Sequence, residues 1–222
     1  MPVLNKGPHS LLFIHVPKAG GTSIVTAFRD NGWNVADYDT SPVHDRRSPN
    51  WLRKSSPQHR PAELLSRLYH LDRFDGIFMF VREPFERLKS EFGWQLKRGK
   101  IKPSRNLSRT FDSWWQKKYQ ELLQDASIDD SHLRPQVDFH LSNALVGRLE
   151  TELTKDFLNS FLEARGLDSL ENEIPKSNVT QSRTLVLSSR SAQQFLQFYR
   201  RDYETFGYSL PPDLKAKRWR RQ

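Results

Sequence analysis

The chain has no cysteine, so neither a disulfide nor a thiolate-held metal can form, and that suits a reducing cytoplasm. No apolar run approaches the roughly twenty residues needed to cross a bilayer. Met1 to Ser10 lack the apolar centre of a secretion signal. No segment repeats. A nucleotide-triphosphatase loop is missing too: in G-x-x-x-x-G-K-[ST] the lysine follows the glycines, whereas Lys18 precedes Gly20 and Gly21. Nor does any strand-like run end in an aspartate placed to hold magnesium.

What is present suits one domain spanning residues 1–222. That length supports one full core, and six Trp and fourteen Phe supply bulky filling despite a hydrophobic content of only 36%. The net charge is +9, but Lys215, Lys217, Arg218, Arg220 and Arg221 sit together at the end, and without them about +4 remains. Residues 210–222 therefore read as a basic, disordered tail. Such a tail could touch an acidic lipid surface; no nucleic-acid module accompanies it, so no nucleic-acid partner is expected.

Two segments carry the chemistry. Leu11 to Val16 form an apolar run that empties into Pro17-Lys18-Ala19-Gly20-Gly21-Thr22-Ser23 and then a helix-compatible stretch. Adjacent glycines let backbone approach a ligand, and a helix start offers N–H groups with a positive dipole end. With Lys18 and the Thr22 and Ser23 hydroxyls, the loop reads as a socket for a phosphate-like anion; an ordinary strand-to-helix turn is the plainer reading. The second segment is the apolar run Gly76–Val81, leading into Arg82-Glu83-Pro84-Phe85-Glu86-Arg87-Leu88-Lys89-Ser90. Arg82 then stands at the carboxyl end of a strand, where open α/β sheets bind ligands, with Ser90 two turns along the next helix. A strand-end arginine paired with a carboxylate, beside an exposed serine, is the alternative.

These two segments resemble the 5′-phosphosulfate loop and the 3′-phosphate motif, V-R-[DN]-P-[FW]-x-R-[LF]-x-S, of the sulfotransferase superfamily. The flavour is that of its carbohydrate-type branch, which includes heparan 2-O-sulfotransferase-like and bacterial enzymes. Gln58-His59-Arg60-Pro61-Ala62-Glu63-Leu64-Leu65 resembles that branch's H-x-x-A-x-E-[IL] segment, and His132-Leu133-Arg134-Pro135-Gln136 its [HW]-x-x-P-Q element. Asp202-Tyr203-Glu204-Thr205-Phe206-Gly207-Tyr208 resembles its closing D-[FY]-x-x-F-G-Y. Glu83 departs from the usual Asp or Asn, and residues 31–57 match nothing in the pattern.

The resemblance implies sulfuryl transfer from 3′-phosphoadenosine 5′-phosphosulfate (PAPS) to an acceptor hydroxyl by in-line displacement, with adenosine 3′,5′-bisphosphate (PAP) as product and no metal. Lys18 would meet the bridging and leaving oxygens. Ala19, Gly20, Gly21, Thr22 and Ser23 would cradle the 5′-phosphate. Arg82 and Ser90 would hold the 3′-phosphate, with Arg183 as a third clamp. His59 is the first choice for the base, with His132 and His70 as alternatives; His9 falls in a frayed terminus and His15 inside a strand. The acceptor would be an oligosaccharide, polysaccharide or glycolipid, with Thr40–Pro57 and Thr110–Gln124 as candidate recognition segments. Relatives with a membrane anchor work in the Golgi, so a cytoplasmic bacterial or viral enzyme is expected. Two rivals remain: a kinase-like phosphotransferase and a non-enzymatic polyanion-binding module.

Periodicity and turn signals place strands at Ser10–Val16, Asn34–Tyr38, Gly76–Val81 and Ala144–Leu149. Helices fall at Thr22–Asn31, Pro61–Tyr69, Pro84–Lys97, Thr110–Gln124, Leu153–Arg165 and Ser191–Thr205. This alternation predicts a three-layer α/β fold around a central parallel sheet. Its phosphate-binding strand–loop–helix would be arranged like that of the P-loop nucleotide hydrolases.

Overall fold

The structure, a computed structural model, describes residues 1–43, 45–175, 184–211 and 214. Its centre is dictated by the apolar runs. β2 (His9–Ile14) and β4 (Gly76–Val81) pair in parallel, with Leu11 opposite Gly76 and Ile14 opposite Met79. β5 (Leu145–Arg148) continues the parallel sheet on the far side of β4. Two short strands extend the other edge: β1 (Val3–Lys6) lies antiparallel to β2, and β3 (Asn34–Ala36) antiparallel to β1. The order is β3-β1-β2-β4-β5, so the expected parallel sheet is its β2-β4-β5 part. The start of the chain is not frayed: Val3 pairs with Leu12, and Met1 and Leu4 are fully buried.

Successive side chains of a strand face opposite ways, and each face is covered. Phe13, Phe78 and Phe80 pack with α1 (Gly21–Asp30) and α6 (Lys155–Glu163) through Ile24, Phe28, Leu158 and Phe161. Leu12, Ile14, Ile77, Met79 and Val81 meet Leu65 of α2 (Ala62–Leu68) and Phe139 on the other side. That gives the three layers. A further apolar cluster joins α3 (Pro84–Lys97), α4 (Leu107–Gln124) and α7 (Ser189–Phe198) through Phe92, Phe111, Trp115 and Phe195. Within the candidate recognition segment Thr110–Gln124, the aromatic stripe of α4 is core: Phe111, Trp114, Trp115 and Leu122 are all buried there.

The expected last helix is two helices, α7 and α8 (Arg200–Phe206), separated at Tyr199. The Tyr199 hydroxyl donates to the Leu133 carbonyl at 2.6 Å. The turn of direction brings the fully buried Asp202 carboxylate under the N–H groups of Gln136 and Val137, both at 2.9 Å. Beyond Gly207, Leu210 and Leu214 pack on the α4–α7 cluster, so the chain is held to the core there. The five tail cations lie outside the described residues. Among the described residues no helix is long and apolar enough to cross a membrane.

Candidate active site

The loop behind β2 begins with Lys18 at φ 68°, a left-handed conformation unusual for a non-glycine residue, and Gly20 at φ 83° caps α1. No side chain caps this helix, and its first turn carries no acid. The two glycines serve different needs. A Cβ on Gly20 would meet Leu149 of α5 (Leu149–Glu152) at 2.8 Å, in a backbone state that already favours glycine. One on Gly21 would fall 1.8 Å from the His15 Nε2, so the second glycine makes room for an imidazole.

Arg82 follows β4, beside β2, so both cations stand at the carboxyl ends of neighbouring parallel strands. Burial pushes the Lys18 amine below its usual range, Glu91 pulls it back, and the positive charges of Arg82 and Arg87 push it further down. Gln136 fixes the Arg82 backbone from both sides, its Oε1 accepting the N–H at 2.9 Å and its Nε2 donating to the carbonyl at 2.8 Å. Glu83 is the N-cap of α3, accepting from the Glu86 N–H at 2.7 Å and from the Tyr203 hydroxyl at 2.5 Å. Short Asp or Asn is the usual choice for such a cap, and the longer Glu83 makes the same bond while gaining Tyr203. Ser90 is buried on α3 next to Glu91. Arg183 lies outside the described residues.

One arginine binds these segments together. Arg87, only 2% exposed, donates Nε to the Pro17 carbonyl at 2.9 Å and a terminal nitrogen to the carbonyls of His132 and Arg134, each at 2.8 Å. The loop Pro17–Ser23, the helix that follows Arg82 and the His132–Gln136 segment thus meet on a single guanidinium.

The histidines sort themselves by position. His59 sits in a 3₁₀ turn, Pro57–His59, ahead of α2 rather than on it. Its ring lies 4.9 Å from that of His15 and 5.1 Å from that of His132, centre to centre. The His59 Nδ1 faces Asp130 Oδ2 at 2.9 Å. The His132 Nδ1 faces Glu91 Oε2 at 2.8 Å, and the same oxygen is 3.8 Å from the Lys18 amine. A continuous polar chain therefore runs from Lys18 through Glu91, His132 and Asp130 to His59. His70 is exposed after α2, and among the described residues no hydrogen bond, ion pair or ring contact joins it to this cluster. His15 lies one residue past the end of β2 rather than inside the strand; it is buried, and its Nδ1 has no hydrogen-bond partner among the described residues.

His132 has carboxylates on both edges, since its Nε2 is 4.0 Å from Asp130. His59 has one edge committed, and among the described residues nothing bonds its Nε2. Burial, the largest influence, draws the His59 pKa below 6.5, against the opposing pull of Asp130. The donor atoms of His59, Asp130 and His132 lie within 4.8 Å of one another, near enough for a divalent ion. Both Nδ1 atoms already face carboxylates, however, which satisfies the group as a hydrogen-bonded network.

Sequence reasoning had passed over Glu91, Trp94, Arg87 and Asp130. Three of these share α3, and their signal was a polar stripe, Arg87, Glu91 and Trp94, at helical spacing beside the apolar one. Trp94 is half-buried, with Lys18, Lys100 and Arg98 at 5.2, 5.1 and 5.4 Å from its ring centre. The His132 ring is 5.4 Å away on the same indole.

No curated protein and no solved structure matches the chain. A family model described as "Sulfotransferase family" matches residues 2–209, a span that takes in the anion loop, the Arg82 motif and the closing Asp202–Tyr208 segment. The chain belongs to the sulfotransferase family.

Proposed function

We propose that this sulfotransferase moves a sulfuryl group from PAPS to a carbohydrate hydroxyl and releases PAP. One observation supports the reading above all: two cationic elements, the Lys18 loop and Arg82, follow the carboxyl ends of adjacent parallel strands. A nucleotide carrying anions at its 5′ and 3′ positions matches that pair. The loop from Lys18 to Ser23 takes the 5′-phosphosulfate, and Arg82 with Ser90 takes the 3′-phosphate, which a guanidinium can grip with two parallel bonds. Arg183 is the third clamp in this reading.

Sulfuryl transfer, like phosphoryl transfer, needs alignment and charge stabilisation more than covalent help. The acceptor oxygen bonds to sulfur as the bond from sulfur to the 5′-phosphate oxygen breaks. Lys18 meets the charge that gathers on the leaving oxygen. The acceptor proton passes to His59 Nε2, the imidazole edge left open by Asp130, and its lowered pKa keeps that base neutral at pH 7. His132, with a carboxylate at each edge, serves the network instead.

A sugar acceptor is supported by Trp94, an aromatic face beside Lys18. Negative charge on that acceptor is supported by Lys97, Arg98, Lys100, Lys102, Arg105 and Arg109, six cations in a stretch with no acid. The test is transfer of labelled sulfate from PAPS to pools of neutral and uronic-acid-containing oligosaccharides. Label should enter the acidic pool with the wild type and not with His59→Ala, whose affinity for PAP should be nearly unchanged. Normal transfer by His59→Ala would end the base assignment, and absence of label from every pool would end the carbohydrate reading.

A further inference from the structure

Asp129, Asp130 and Ser131 adopt φ values of 49°, 61° and 61°, three successive non-glycine residues in the left-handed region. A left-handed turn costs an ordinary residue roughly 1–2 kcal/mol, and strained backbone of this kind persists where a site needs it. Glycine would make the same turn without that cost. What the strain delivers is a carboxylate. Asp130 Oδ1 accepts the Ser56 N–H at 2.5 Å, and Oδ2 accepts the Ser56 hydroxyl at 2.6 Å. Both oxygens are thereby fixed in rotation, with Oδ2 set 2.9 Å from His59 Nδ1. Its neighbour Asp129 turns away to Lys118 at 2.7 Å.

We propose that Asp130 is the positioning residue for His59: it holds the imidazole proton on Nδ1 and leaves Nε2 bare toward the acceptor. The inference rests on the reading of His59 as base. An ionised carboxylate only accepts hydrogen bonds, so the nitrogen facing it must carry the proton. Against the opposing effect of burial, His59, His132 and Ser56 hold Asp130 well below the usual carboxylate range, which keeps it in that accepting form. The lock also determines what an amide would do in place of the carboxylate. The backbone N–H of Ser56 cannot turn, so an asparagine side chain introduced here must keep its oxygen at the Oδ1 position and place its NH₂ where Oδ2 stood. The hydroxyl of Ser56 can rotate to accept. His59 Nδ1 then faces a donor, gives up its proton, and the proton moves to Nε2, the edge that has to be bare.

Asp130→Asn is a fair test because Asn tolerates the left-handed region as well as Asp does. The primary measurement is the His59 ring tautomer, read from long-range ¹H–¹⁵N correlations on ¹⁵N-histidine-labelled enzyme. The wild type is expected to carry the proton on Nδ1 and Asp130→Asn on Nε2. Ser56→Ala retains the carboxylate and should keep the Nδ1 form. A proton on Nε2 in the wild type, or the same tautomer in wild type and Asp130→Asn, overturns the proposal, as does a changed tautomer in Ser56→Ala. Turnover with PAPS and the acidic oligosaccharide pool should fall about 10²- to 10⁴-fold in Asp130→Asn, with the KM for PAPS unchanged. In a His59→Ala background the second substitution should cost nothing more. If His59→Ala itself turns over normally, the base reading falls; if it is inactive while Asp130→Asn turns over within about threefold of wild type, the positioning role alone falls.

Discussion

Replacing Arg87 by Lys should uncouple the three segments that meet on its guanidinium. The wild-type side chain serves three carbonyls, Pro17 at 2.9 Å and His132 and Arg134 at 2.8 Å, from a position that is 2% exposed. A lysine keeps the charge but offers one nitrogen at the end of its stem in place of a planar fork. It can reach one or two of these oxygens, and at least one buried carbonyl loses its donor. At about 1–3 kcal/mol for each buried group left unsatisfied, the loss should come to about 3 kcal/mol. For a chain of this length that corresponds to a fall in melting temperature of roughly 6–12 °C. Because Pro17 precedes Lys18, affinity for PAP should drop with it, at least tenfold by calorimetry. A melting temperature within about 1 °C of wild type, with PAP binding intact, would show that the guanidinium does not hold these segments.

Gly21→Ala sets a methyl group against the His15 ring, 1.8 Å from Nε2, so the imidazole must move or the loop must open. Overpacking of this order costs about 1–3 kcal/mol or more, and PAP binding should weaken as the melting point falls; a stable variant that binds normally would refute the packing argument. If His59 is the base, as proposed, the pH profile of kcat/KM reports on it. Its pKa lies below 6.5 because burial outweighs the opposing effect of Asp130, with His132 and the N-terminal amine also lowering it. A lowered pKa keeps the base unprotonated further into acid, so the acidic limb should fall below pH 6.5, and a limb above that value would contradict the assignment. Trp94→Ala should raise the KM for acidic oligosaccharides and leave the KM for PAPS alone; the opposite pattern would move Trp94 from the acceptor side to the donor side.

Where local signals were strong the sequence was readable to the residue. The run Gly76–Val81 and Pro84 at the next helix start determine both β4 and α3 without reference to anything distant. β1 was missed because Val3-Leu4 is too short a run to signal a strand until Leu11 and Leu12 supply its partner. The division between α7 and α8 was hidden because apolar spacing continues through Tyr199, and the reason for the break is tertiary: Tyr199 bonds Leu133 and Asp202 serves Gln136. For the site, Lys18 and Arg82 could be placed from motifs because each sits at a strand end. Asp129-Asp130-Ser131 is a turn-favouring run, but the pairing of His59 with Asp130 spans 71 positions, and nothing local to either residue points to the other. Motifs that looked separate in the sequence are joined in the fold: Gln136 bonds the Arg82 backbone, and Asp202 of the closing segment accepts the Gln136 N–H.

Calorimetric titration with PAP tests most directly whether a single nucleotide joins the two cationic elements. The wild type should bind one equivalent with micromolar affinity, and Lys18→Ala and Arg82→Ala should each lose most of it. Unchanged binding in either variant, or no binding by the wild type, would contradict a donor held between β2 and β4.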